Sequence, residues 1–206
     1  MKNKIPDFAY HMTKFFTEYL PIQRNLSPNS IATYRDTFRL LLLFYDTEKH
    51  IKPNLLTLDM LDVQGIEDFM LWLKKERNCG ASTCNQRLGA LKSFFRYLQF
   101  ALPDRALQCQ ENLAIRPMKQ SEPGLKYLTI DGIKLLLEQP DIKTKYGRRD
   151  LAILSLMYDT GARVQEIADI KIVHIRFSAP ATIRITGKGD KTRVVPLLSR
   201  TEDILK

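Results

Sequence analysis

Hydrophobic positions in the first hundred residues recur every three or four places, as they do along one face of an α-helix. Phe8, Met12, Phe15, Phe16 and Tyr19 form the first such row. Pro21 is expected to end it, because proline has no N–H to give to a helical ladder. The next helix opens at Ser27-Pro28, a capping hydroxyl followed by a residue suited to the first turn. Its apolar stripe is Ile31, Tyr34, Phe38, Leu41, Leu42 and Tyr45, with Thr33, Arg35 and Arg39 off the stripe. A third helix is predicted over 62–77, with Ile66, Phe69, Met70 and Leu73 inside and Asn78 and Gly80 stopping it. A fourth is predicted over 82–100, capped by Ser82 or Thr83. There Cys84, Leu88, Leu91, Phe95 and Leu98 face a core, while Asn85, Lys92, Arg96 and Gln99 make a polar, largely basic stripe. Four amphipathic helices of this kind pack as a compact α-bundle.

The pattern changes after Pro103. The stretch 112–124 holds Pro117, Pro123, Gly124 and several charges with little periodicity, and reads as a linker. The chain thus divides into a helical domain over 1–111, the linker, and a second domain over 125–206. In the second domain Thr129 suits the cap of a helix whose buried face is Ile133, Leu136 and Leu137. A strongly apolar helix is predicted over 149–158 with Gly161 ending it, and a short one over 163–170. The period then shifts from helical to alternating. Three short strands are predicted over 171–177, 181–186 and 192–197, with turns at Ala179-Pro180 and at Gly187-Lys188-Gly189-Asp190. Helices beside a small antiparallel three-stranded sheet make this domain α+β.

Charge narrows the class of partner. Across 206 residues there are 32 Lys plus Arg against 23 Asp plus Glu, a net charge of +9, which favours a polyanion such as nucleic acid. Cys79, Cys84 and Cys109 form no C-x-x-C pair and read as reduced thiols of a cytoplasmic protein. His11, His50 and His174 are scattered, so no metal site is expected. The densest apolar run, Leu40 to Phe44, is far too short to span a bilayer, and the N-terminus has no signal-peptide pattern.

Two segments carry the candidate chemistry: Thr160-Gly161-Ala162-Arg163-Val164-Gln165-Glu166-Ile167, and Thr186-Gly187-Lys188-Gly189-Asp190-Lys191-Thr192-Arg193. An arginine just past a helix-ending glycine sits on rigid backbone. A guanidinium there binds two oxygens of a phosphate at once, which a lysine cannot do. Glu166, three residues on, lies on the same helical face and is placed to hold that guanidinium. Gly187 and Gly189 allow the hairpin bearing Lys188 to come close to another backbone. Asp190 reads as a turn residue.

These segments resemble the tyrosine recombinase (phage integrase) family, whose pattern is T-G-x-R-x-x-E-(L/I), a three-stranded sheet, then G-K-G-x-K-x-R-x-(V/I)-P-L. The interval from Arg163 to Lys188 suits it. Residues 27–44 resemble the family's S-x-x-T-x-x-x-Y…F helix, residues 81–98 the last helix of its core-binding domain, and Tyr127-Leu128-Thr129 the opening of its catalytic domain. The resemblance implies a SAM-like core-binding bundle and a catalytic domain for site-specific DNA recombination or integration. The reaction passes through a 3′-phosphotyrosyl link and needs no metal or other cofactor. Arg163 would stabilise the charge that builds on the scissile phosphate, and Lys188 would protonate the leaving 5′-hydroxyl. Lys191 and Arg193 would contact phosphates. The helices over 27–44 and 81–98 would lie on double-stranded DNA as half of a clamp. Their candidate contacts are Asn29, Thr33, Arg35, Asn85, Arg87, Lys92 and Arg96.

The family's later His-x-x-Arg, a further His or Trp and the nucleophilic tyrosine do not occur before Lys206. Tyr127, Tyr146 and Tyr158 stand in no nucleophile-like context, and His174 precedes the hairpin and has no assigned chemistry. Residues 1–206 are therefore expected to bind recombination sites without cleaving them. The intact enzyme would work in a tetrameric synapse of like protomers, in the cytoplasm on the nucleoid. The alternative is a non-catalytic DNA-binding piece that occupies half-sites and inhibits a full-length enzyme. A helical scaffold that binds only protein fits the charge poorly. An exposed apolar patch is expected around Ile153, Leu154 and Leu156.

Overall fold

The computed structural model describes residues 7–120, 124, 127–187 and 189–206. Its contacts divide the chain into two units, 1–123 and 124–206.

In the first unit, α1 (Asp7–Lys14) runs on without a break into a π-helical segment (Phe15–Gln23). Pro21 lies inside this segment and does not end it, contrary to the expectation from proline alone. In an α-helix its ring would press on the carbonyl four residues back, and the wider π turn relieves that clash. The run stops instead at Asn25, whose left-handed φ of 45° turns the chain. Then come α2 (Pro28–Thr47), α3 (Val63–Lys75), α4 (Ala81–Ala101) and α5 (Ala106–Ala114). Ser27 caps α2 as predicted, its hydroxyl accepting from the Ser30 N–H. Asp62 caps α3 through the Gly65 N–H at 2.7 Å. The expected cap of α4 is corrected: Gly80 is the N-cap with no side-chain bond, and Ser82 and Thr83 lie inside the helix.

The helices close on an aromatic cluster. Phe15 is fully buried, with ring centroids 5.2 Å from Phe94, 5.8 Å from Phe38 and 5.7 Å from Tyr97. Edge-on and tilted rings at these distances add to simple area burial. The stretch 112–124 is not wholly free of this unit. Asn112 is buried and donates to the Leu61 carbonyl, Ile115 is buried in the core, and Met118 packs against it.

The second unit has a smaller core of Leu156, Ala162, Ile167, Ile183 and Ile185. Its elements are α6 (Ile130–Glu138), α7 (Lys145–Thr160), α8 (Val164–Ala168), β1 (Ile175–Arg176), β2 (Thr182–Thr186), β3 (Thr192–Pro196) and α9 (Ser199–Leu205). The strands form an antiparallel sheet in the order β1-β2-β3. Thr129 caps α6 as predicted. The expected buried face of α6 is not buried: Ile133 and Leu137 are half-covered and Leu136 is exposed. Helix α7 begins four residues earlier than predicted (145 rather than 149), capped by Thr144, and Gly161 ends it with φ 58°. The first predicted strand shrinks to two residues, because Ile172–His174 coils into a 3-10 turn in which His174 Nδ1 accepts from the Lys171 N–H. Of the predicted exposed patch, only Ile153 is exposed, while Leu156 is buried. Apolar surface is found instead in a cleft lined by Ile133, Leu137, Leu151, Tyr158, Leu198 and Ile204.

Two outcomes test this packing. Phe15→Ala should lower the stability of the helical unit by about 3–5 kcal/mol, read by denaturant unfolding. Gly147→Ala should destabilise the second unit, because a Cβ there would collide with the Asp141 carbonyl. A wild-type melting temperature for either variant would contradict the packing described.

Candidate active site and candidate nucleic-acid interface

Arg163 is the N-cap of α8, directly after the turn made by Gly161 and Ala162. Its backbone N–H donates to Glu166 Oε2 at 3.1 Å, and its Nη1 donates to Glu166 Oε1 at 2.9 Å. The expected Arg163–Glu166 pairing is therefore present, and the one carboxylate accepts from the backbone N–H as well as the side chain of Arg163. A third participant joins from β3. Arg193 Nη2 donates to Glu166 Oε2 at 2.7 Å. One carboxylate thus bridges two guanidiniums, one from the start of α8 and one from β3.

Burial separates the roles of these three side chains. The Glu166 side chain is 5% exposed, that of Arg193 40%, and that of Arg163 76%. Glu166 is therefore the inward anchor and Arg163 the outward-facing cation. The Arg193 hydrogen bond, followed by the Arg163 N–H, holds the Glu166 carboxyl down from its ordinary 4.5 to about 2. Burial pushes the other way and is overcome. Gly187 lies so close that a Cβ on it would stand 2.5 Å from Glu166 Oε1. At this hairpin, Gly187 N–H donates to the Lys191 carbonyl at 2.9 Å, and Gly189 and Asp190 take left-handed φ of 75° and 56°. Asp190 is thus a turn residue, as expected. Lys188 lies outside the described residues. Lys191 is exposed.

Strand alternation carried a signal for Arg193. On β3 the half-buried positions are Arg193 and Val195, and Arg193 pairs with Ile185, which is 1% exposed. An arginine in step with core-facing positions needs an internal partner, and Glu166 is that partner.

In the helical unit the predicted contacts separate. Asn29, Arg35 and Arg96 are exposed, and the Thr33 hydroxyl donates to the Asn29 carbonyl. Asn85, Lys92 and Arg96 share one side of α4 by helical spacing, whereas Arg87, two residues from Asn85, points elsewhere. Its Nε is buried without a hydrogen-bond partner. Arg35 is likewise off the Asn29–Thr33 line of α2. The Asn85 amide is engaged internally: it donates to the Met118 carbonyl at 2.8 Å and accepts from the Met118 N–H at 2.7 Å. Lys92 is half-buried; burial, and then Arg96 nearby, lower its pKa. Among the described residues there is no cluster of metal-ligating side chains and no helix long and apolar enough to cross a membrane.

Comparison with known proteins follows the same division. Residues 14–100 match the N-terminal SAM-like domain of phage integrases, and residues 126–206 match the phage integrase family. A putative integrase/recombinase of Sinorhizobium fredii is 35% identical over 195 residues, covering 95% of this chain and 59% of the relative. The tyrosine recombinase XerD of Listeria monocytogenes is 31% identical, covering 93% of this chain and 61% of the relative. The chain thus spans about 60% of the length of these curated relatives. A lambda integrase dimer bound to a core site shares the fold, with a TM-score of 0.65 at 16% identity over 91% of this chain and 61% of that one. The chain belongs to the phage integrase family of tyrosine recombinases.

Two measurements test the Glu166 bracket. A carboxyl held below its unfolded value contributes stability that is present above about 4.5 and is lost as pH falls towards about 2. Acid titration followed by carboxyl NMR should place this loss in that window, and Glu166→Gln should abolish it. Gly187→Ala should displace Glu166 and lower the stability of the second unit. A Glu166 titration near 4.5 would refute the bracket.

Proposed function

We propose that this chain supplies the DNA-gripping helical domain and part of the catalytic domain of a site-specific DNA recombinase or integrase. The observation that carries the reading is Arg163, a largely exposed guanidinium whose backbone and Nη1 are both fixed by a buried carboxylate. Such a group is preorganised for the non-bridging oxygens of a phosphodiester, where charge builds during attack. Lys188 is assigned as the general acid for the leaving 5′-hydroxyl, on the strength of the motif around it. Support for the substrate class comes from the relatives, which are named as recombinases and integrases.

In the helical unit the proposed DNA contacts are Asn29, Thr33, Arg35, Lys92 and Arg96. Asn85 acts mainly by holding Met118. Lys191 joins as a phosphate contact. The partners are a double-stranded recombination site and like protomers in a tetrameric synapse, at work on the nucleoid. In this reading residues 1–206, taken by themselves, bind a site without cutting it, because no nucleophilic tyrosine is assigned among them. By occupying half-sites it would inhibit a longer relative in trans.

Duplex binding should weaken about 10³-fold between roughly 50 and 200 mM salt, as expected for several phosphate contacts. Arg163→Ala should cost about tenfold in affinity, within the range for a charge-assisted pair. A nicked suicide duplex should give no covalent adduct with 1–206. Salt-independent binding, or no binding at low salt, would overturn the reading, and an adduct would overturn its inactivity.

A further inference from the structure

We infer that Arg193 is a positioning residue for Arg163: by occupying one oxygen of Glu166 it keeps the Arg163 fork from closing on that carboxylate and leaves it open for a phosphate. The inference rests on the phosphate-binding role proposed above for Arg163, and it changes the part assigned to Arg193, which the motif alone casts as a phosphate contact.

Glu166 offers two oxygens to its donors. Guanidinium and carboxylate prefer to meet as two parallel forks, and a lone Arg–Glu pair three residues apart on a helix start has nothing to prevent that. An arginine held that way has both donors of one edge spent on its own protein. Here Oε2 already accepts from the Arg163 backbone N–H and from Arg193 Nη2, so only Oε1 is left for the Arg163 side chain. The Arg163 guanidinium is accordingly held through Nη1 alone and stays mostly exposed.

The second consequence concerns charge. A buried carboxylate with one guanidinium is neutral, whereas with two it leaves one positive charge at the surface. That charge emerges at Arg163, because Arg193 faces the core side of β3 opposite Ile185. Gly187 completes the arrangement. Its missing side chain lets the chain just after β2 come against Oε1, while Arg193 on β3 and Arg163 at the start of α8 bind the same carboxylate.

A double-mutant cycle on the 1–206 chain separates positioning from direct contact. The probe is a duplex that the chain itself selects from a random-sequence pool at low salt. Arg163→Ala in the wild type should cost about tenfold in affinity. In an Arg193→Gln background the same change should cost less than about threefold, because the fork has already closed. Arg193→Lys, which keeps a charged donor on Oε2, should restore most of the tenfold effect. Additive losses would make Arg193 an independent phosphate contact and overturn the inference. If the chain selects no duplex, or Arg163→Ala changes nothing in any background, the recombinase reading falls. The positioning is still read without DNA, from the guanidinium 15N–1H signals of Arg163. These should shift and slow in Arg193→Gln and return in Arg193→Lys. Signals unchanged by Arg193→Gln would overturn the inference by themselves.

Discussion

A single carboxylate sets the geometry of the second unit's candidate site. Burying an ionised glutamate is costly unless both oxygens find donors, and truncating one partner of such a group leaves an unpaired charge. Glu166 meets that demand with three N–H donors from two residues, Arg163 and Arg193. The demand shapes the local backbone. Arg163 must cap α8 so that its N–H can turn inward, α7 must stop before the left-handed Gly161, and the residue that follows β2, Gly187, must lack a side chain.

The helical unit is organised by a different principle. Its centre is apolar and aromatic, and its polar anchors lie around that centre. Arg105 ties α5's approach to Asp7 and Asp59, Asn112 reaches the Leu61 carbonyl, and Asn85 clamps Met118. These bonds consume polar side chains that a helical wheel would assign to solvent. The cations of the α4 stripe are Lys92 and Arg96, and Lys92 is itself half-buried with its pKa lowered. A basic stripe read from spacing therefore overstates how many of its members are free to meet a polyanion.

Much of the architecture was legible because it rests on local rules. Ser27, Thr129 and Gly161 mark helix ends by short-range hydrogen bonding or backbone freedom, and all three appear where those rules put them. Alternation gave β2 and β3 almost to the residue. The failures share one cause, namely competition from another local geometry or from distant packing. Pro21 is absorbed by a π turn, which no proline rule anticipates. His174 prefers to accept from the Lys171 N–H, and this coils the start of the expected first strand. Leu136 belongs to a helix that the unit leaves largely uncovered. Asn85 finds Met118 across 33 residues, a pairing that helical spacing cannot reveal.

The site shows the same boundary between local and distant information. Arg163 with Glu166 is a contact at i,i+3 and can be read from eight consecutive letters. Arg193 joins them across 27 residues, and only the fold of the sheet makes that meeting possible. Yet the distant member decides what the local pair can do. Two guanidiniums without a carboxylate between them would repel, and one guanidinium with a carboxylate would be neutral and self-satisfied. The combination of two with one is stable because each cation has a partner, and it remains cationic because the partner is shared. A shared anion under an exposed arginine is thus a physical means of keeping a positive charge both fixed and unspent, as the proposed binding of a phosphodiester would require.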